Sequence, residues 1–377
     1  MRGLSPWLFT GFAVASVGGP LALLTLFPST AGDGIESAGL VVVLGLALFV
    51  FPLGIWLSYS GRVVTAGGLT AFVDAAAGRR VALAHGWIWA FAYFLYLPYT
   101  VTFVVYDLLT PVFPGITPYR GALELVLPVA LVLVALSPVR VVLAGIGVLA
   151  IAQLVLLFVV GVLEYRHTNT TLSAPASTGT TGRAAAATAL LFVCASLPLY
   201  LGAEVRGGSR TVRRGLPAAV AVVGAVFLFA AIPLAVVPES LRNADVPGAA
   251  IAQAYGGRGL GVAVGLGTAA STLALIVAEY LALGRLVHWL HGPPVRDVLV
   301  WIAIPFIAAD AVSLVNPDRF YDDLLKPSLA ALYVSQLVVF VAFPRFRRGG
   351  VALAAAAVAS ALAAWGLYTL FVSGASS

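Results

Sequence analysis

The chain has 377 residues, 61% of them hydrophobic and only 10% charged, with a mean hydropathy of +1.03. A soluble domain carries about 25% charged residues, so the composition excludes one and places most of the chain in a bilayer. The single cysteine, Cys194, excludes an internal disulfide and any cysteine-based metal cluster, and the net charge of +6 is read as the basic bias of one membrane face, not as a nucleic-acid footprint.

A helix crossing the hydrocarbon needs about 20 mostly apolar residues. On that basis the sequence predicts about eleven spans, at 7–27, 37–59, 81–109, 122–136, 141–163, 184–203, 216–237, 260–283, 298–315, 329–343 and 351–371. The runs are too long for the strands of a membrane barrel. The first follows Arg2 and is too long for a signal-peptide core, so it is read as an uncleaved span. With the N-terminus in the cytoplasm, the loops on that side hold 14 basic residues and the opposite loops hold 7, which accounts for all 21. The basic side is therefore read as cytoplasmic, in a plasma membrane, and the odd number of spans leaves the C-terminus outside. The connection from Glu164 to Arg183 is rich in Ser, Thr and Gly and reads as a flexible external loop. Within it, Asn169-Thr170-Thr171 fits a glycosylation sequon.

Two spans are interrupted. Gly18, Gly19 and Pro20 sit at the middle of the first, where proline removes a donor and glycine weakens the helix. In lipid such a break must be sheltered by protein or line a cavity. One reading is a packing kink. The other is a site in which the N–H groups of Gly19, Leu21 and Ala22, at the positive end of a half-helix, face a carboxylate. The sixth span has Pro198 at mid-depth, then Gly202, then Glu204 before a basic loop. Glu204 reads either as an interfacial acid paired with Arg206 or Arg210, or as part of a gate. Interrupted helices five apart point to a transporter built from inverted repeats. The count then divides into a ten-helix core over 1–345, with repeat one at about 1–165 and repeat two at about 184–345, and an additional helix over 346–377. No internal repeat is visible residue by residue.

Four stretches, in order, resemble the amino acid–polyamine–organocation superfamily of secondary transporters. The first is Gly18-Gly19-Pro20, where that family has a glycine-rich unwound segment. The second is "TAGGLTAFVDAAAG", with Gly67, Gly68, Phe72 and Gly78 in register and Thr70 in place of the usual tyrosine. The third is "HGWIWAFAYFLYLPYTVTF", like the family's third helix. The fourth is "AEVRGGSRTVRRGLP", where Glu204, Val205, Arg206, Arg210, Thr211 and Val212 agree while Gly207-Gly208 replaces Asn-Pro. The resemblance implies an all-α integral membrane protein with the LeuT-type five-plus-five fold. It further implies alternating access, with substrate held at the unwound segments of helices 1 and 6. Carried over, the substrate contacts are Val17, Gly18, Gly19 and Pro20, with Ser196, Pro198 and Tyr200 opposite and Tyr96 or Tyr99 as a cap. As plain packing or interface residues those tyrosines need no such role. A wall without charged side chains implies a neutral substrate side chain.

Glu279 and Asp310 lie inside the eighth and ninth spans, where a charge costs at least ~2.5 kcal/mol. They read as proton carriers or partners of a buried base, or as acids paired at an interface, as Glu279 would be with Arg285. Ser271-Thr272 matches the hydroxyl pair that binds sodium in sodium-coupled relatives, although both residue types also bond their own helix backbone. The helix 5 lysine of some proton-coupled members is replaced by Gln153, and the only lysine is Lys326 in a loop. Proton coupling through Glu279 is favoured, with sodium at Ser271 and Thr272 as the alternative, and no other cofactor is implied. The expected partners are the bilayer and an amino acid, with no nucleic acid; the oligomeric state is left open. The alternatives are a permease for a polyamine or another small organic cation, a channel, and a non-transporting membrane scaffold or enzyme. Against an enzyme, no HExxH, GxSxG, Walker loop or Cys/His cluster occurs.

Overall fold

The computed structural model describes residues 3–169 and 177–372, nearly all helical, so Arg2 and the sequon residues Thr170 and Thr171 lie outside the described residues. The first span is two short helices, α1 (Pro6–Ser16) and α2 (Pro20–Ala31). Each starts on a proline whose missing donor is no loss in a first turn, and Ser5 caps α1 by accepting from the Leu8 N–H at 3.4 Å. There follow α3 (Ala38–Ser60), the short α4 (Gly68–Ala77), and α5 (Arg79–Phe103), which continues as a π-helical stretch over Val104–Leu109. Next come α6 (Arg120–Leu136), α7 (Val139–His167) and α8 (Thr178–Leu190). The chain then runs as a 3₁₀ helix over Val193–Glu204 before α9 (Gly208–Ala231). The second half is completed by α10 (Pro247–Gly256), α11 (Arg258–His291), α12 (Val295–Ser313), α13 (Pro317–Phe346) and α14 (Gly350–Val372).

Nine helical runs among the described residues are long and apolar enough to cross a membrane, and one of them, Pro6–Ser60, has 55 residues. At about 1.5 Å per residue that run covers the hydrocarbon twice. Counting it as two and adding α12, whose Arg296, Asp297 and Asp310 lower its apolarity, gives the expected eleven. Helix α7 shows the polarity of a lipid-bathed bundle. Val148, Ile151, Val155 and Phe158, at helical spacing, are exposed, while Ile146, Ala150, Gln153, Leu157 and Val160 are buried. The exposed stripe is apolar, so it faces acyl chains.

Three spans are longer than the sequence predicts. Asn316 caps α13 by accepting from the Arg319 N–H at 3.1 Å and Pro317 opens it, so that helix begins twelve residues before the predicted 329. Residues 164–167 and 178–183, expected in a flexible loop, are helical turns of α7 and α8.

Candidate functional site

The break in the first span comes from backbone geometry that only glycine adopts freely. Gly18 and Gly19 have φ of +69° and +65°, in the left-handed region. A Cβ on Gly18 would lie 2.8 Å from the Leu191 carbonyl oxygen, and one on Gly19 would lie 2.5 Å from the Ser271 hydroxyl. The two glycines therefore let helix 1 approach the second break, at Leu191, and helix α11. The expected trio of free N–H groups is not complete. Gly19 donates to the Ala15 carbonyl at 3.2 Å, because helical hydrogen bonding from α1 reaches as far as Gly19 before α2 begins at Pro20. Leu21 and Ala22 stand in the first turn of α2, where N–H groups have no acceptor within the helix.

The second break lies earlier than predicted. Helix α8 ends at Leu190, and Leu191 and Phe192 form the turn before the 3₁₀ run. Pro198 does not create the break; it is accommodated within twelve residues of 3₁₀ helix, an uncommon length. Ser196, Pro198 and Tyr200 consequently sit past the break. The Ser196 hydroxyl donates to the Val193 carbonyl at 3.0 Å, and Tyr200 packs against Gly68, where a Cβ would come within 2.7 Å of its ring. This packing explains Gly68, which brings α4 onto the 3₁₀ run, while Gly67 makes room for Trp289 of α11.

Between the two breaks lies a cavity of about 350 Å³. Gly18 and Ala22 line it from helix 1, and Leu191, Val193 and Cys194 from the second break. Tyr93, Tyr96, Tyr99 and Thr100 line it from α5, Thr272 and Glu279 from α11, and Tyr321 and Tyr333 from α13. Of the sequence-predicted residues, Gly18, Tyr96, Tyr99, Thr272 and Glu279 are together here. Val17, Gly19, Pro20, Ser196, Pro198, Tyr200, Ser271 and Glu204 are not in the lining. The wall, expected to carry no charged side chain, holds one acid. Glu279 is 3% exposed, its Oε1 stands 3.8 Å from the Cys194 sulfur, and its Oε2 has no hydrogen-bond partner among the described residues. It does not pair with Arg285.

Arg285 pairs instead with Glu204. Its Nε donates to Glu204 Oε1 at 2.6 Å and its Nη2 to Oε2 at 3.1 Å, while Nη1 donates to the Leu281 carbonyl at 3.0 Å. Neither Arg206 nor Arg210 is the partner, because the ion pair crosses from the end of the 3₁₀ run to α11. Beside it the N-terminal segment is pinned, with the Leu4 N–H donating to Glu204 O at 2.7 Å and the Arg206 N–H to Leu4 O at 2.9 Å. Tyr200 and Tyr93, with ring centroids 6.1 Å apart, fill the space between this seal and the cavity. The cavity is thus closed at the Glu204 end, and its lining runs along α2 as far as Thr30.

Ser271 donates to Gln153 Oε1 at 2.8 Å and Thr272 to the Thr268 carbonyl at 3.1 Å. The expected sodium-binding pair therefore has both hydroxyl protons engaged inside the protein. Cys194, Tyr93, Tyr321 and Tyr333 were not anticipated in the lining. A cysteine in an apolar run carries no signal, but the Asn316-Pro317 helix start could have brought Tyr321 into a span.

The chain has the fold of MhsT. A crystal structure of MhsT in complex with L-phenylalanine matches with a TM-score of 0.66 at 15% identity, over 96% of this chain and 98% of that one. No protein-family model matches the sequence. No curated protein matches it either. The structural match shows a LeuT-type, multi-pass membrane fold.

Proposed function

We propose that the protein is a secondary transporter of amino acids that works by alternating access, with substrate held in the cavity between the two helix breaks. One observation carries this reading: one cavity is bounded by both breaks and has complementary polar groups at its wall. Glu279 offers an acceptor for an ammonium, and the first-turn N–H groups of α2, beside Ala22 in the lining, suit a carboxylate. Its volume of about 350 Å³ falls at the low end of the range of small-molecule sites. The tyrosines and aliphatic residues around it favour an apolar or aromatic side chain. L-phenylalanine, the ligand in the MhsT crystal structure, is of this kind.

The Glu204–Arg285 pair would act as a gate at the closed end. With the basic loops taken as cytoplasmic, the closed end faces the cytoplasm, the state is outward-facing, and the two halves over about 1–165 and 184–345 are the inverted repeats. Proton coupling through Glu279 is the favoured arrangement, because the acid is buried in the cavity wall with no base paired to it among the described residues. A second reading, a permease for an organic cation, draws on the same acid among tyrosine rings, a setting that suits an ammonium without a carboxylate. Thermal stabilisation of the purified protein by each of the twenty amino acids, and by polyamines and quaternary amines, tests both. A ligand at 100 times its Kd adds about 2.7 kcal/mol. Stabilisation by amino acids with apolar side chains is the expected result. Stabilisation by amines lacking a carboxylate and by no amino acid would overturn it in favour of the second reading.

A further inference from the structure

A second pair of buried acids lies away from the cavity, where the N-terminal end of α6 meets the C-terminal end of α12. Glu124 and Asp310 are both 0% exposed, and neither lines the cavity. Two hydroxyl groups cradle Glu124. Its Oε1 is 2.5 Å from the hydroxyl of Thr102 on α5 and 2.8 Å from that of Ser313 on α12. Each hydroxyl also has a second acceptor within reach, the Pro98 carbonyl at 3.3 Å from Thr102 and the Asp310 carbonyl at 2.6 Å from Ser313. These four close oxygen contacts share only two hydroxyl hydrogens, since Ser and Thr donate once each. The carbonyls cannot donate. A hydrogen on the Glu124 carboxyl adds a third donor, so three of the four contacts can be hydrogen bonds at once, against two when the carboxyl is ionised.

Asp310 strengthens the case independently. Both of its carboxyl oxygens are buried with no hydrogen-bond partner among the described residues. Among the described residues no Arg, Lys or His forms an ion pair or hydrogen bond with it, on α12 itself or on the helices packed against α12 (α5, α6, α11 and α13). Arg120, one turn before Glu124, is held elsewhere. Its Nε donates to the Thr110 hydroxyl at 3.0 Å and its guanidinium lies over the Tyr106 ring at 5.1 Å. Two ionised carboxylates in this dry, base-free place would be strongly unfavourable. We propose that Glu124 and Asp310, with Thr102 and Ser313, form a proton-binding site distinct from the substrate cavity. Both carboxyls carry a proton at rest: the one on Glu124 enters the hydroxyl network, and Asp310, whose carboxyl oxygens have no partner among the described residues, is the group through which the pair takes up or releases one.

Infrared spectra of the purified protein, read at the carbonyl absorption of protonated carboxyl groups, test this directly. The wild type should show the absorption at neutral pH in sodium-free buffer. Glu124→Gln and Asp310→Asn should each remove about one carboxyl equivalent of it. Thr102→Val keeps both acids and should shift the Glu124 band in frequency without loss of area; it serves as the readout should an acid variant fail to fold. Absorption unchanged in both acid variants, together with no Thr102→Val shift, would overturn the proposal. Protonated carboxyl absorption at these two residues only when sodium is absent would also overturn it, by showing that a metal cation is the natural occupant.

Discussion

Replacing Gly19 with alanine perturbs the first helix break in a way whose size follows from the geometry. The residue has φ of +65°, and holding an L-residue there costs about 1–2 kcal/mol. The new methyl would sit 2.5 Å from the Ser271 hydroxyl, which must move off its hydrogen bond to Gln153. Gln153 is 1% exposed and its Nε2 already has no partner, so losing the bond to Oε1 as well costs about 1–3 kcal/mol. Together Gly19→Ala should destabilise by about 2–5 kcal/mol. Ser271→Ala loses the same hydrogen bond and should cost about 1–3 kcal/mol by itself. In the double variant that bond is lost only once, so the two changes should cost about 1–3 kcal/mol less than their sum. Denaturant titration of the four proteins in detergent reads this coupling. Strict additivity would refute the claim that Gly19 exists to let helix 1 approach Ser271.

The ion pair at the closed end gives a second test. Arg285 has a side chain 5% exposed while that of Glu204 is 37% exposed, so Glu204→Gln should destabilise by only about 1–3 kcal/mol, less than for a fully buried pair. Adding Arg285→Met should recover part of that loss; no recovery would mean that the charge left on Arg285 is not the problem. Glu279→Gln should weaken binding of an amine-bearing ligand roughly 10–150-fold, as expected for a charge-assisted hydrogen bond worth about 1.5–3 kcal/mol. Unchanged affinity would remove Glu279 from the site. Ser196→Ala should leave affinity untouched, because that hydroxyl is bonded to the Val193 carbonyl and does not line the cavity between the breaks; a tenfold loss would contradict the placement of the second break.

The fold was largely legible because a bilayer leaves few options: apolar runs of helix length must be helices, and Gly18-Gly19-Pro20 can only interrupt one. The second break was misplaced for a physical reason. Proline was taken as the breaker, but Pro198 fits within a 3₁₀ helix and the α-helix gives way at Leu191, a residue with no turn signature. The same limit applies to the partners of charges. Arg206 and Arg210 are near Glu204 in sequence, yet Arg285, 81 residues away, meets it because α11 passes the end of the 3₁₀ run. Glu279 and Asp310 could be singled out from the sequence as charges in apolar runs. That one lines a cavity and the other sits near Glu124 depends on helix packing, which no local pattern encodes.

The central claim, that substrate occupies the space between the two breaks, can be tested with a probe the protein already contains. Cys194 is the only cysteine in the chain and lines that cavity beside Glu279. The rate of its modification by a small, membrane-permeant thiol reagent should be measured with and without an amino acid that stabilises the protein. The account predicts that a saturating ligand slows modification at least about tenfold, since the thiol is then covered in all but a small fraction of molecules. Modification at the same rate with the ligand bound would place the substrate elsewhere and contradict the account.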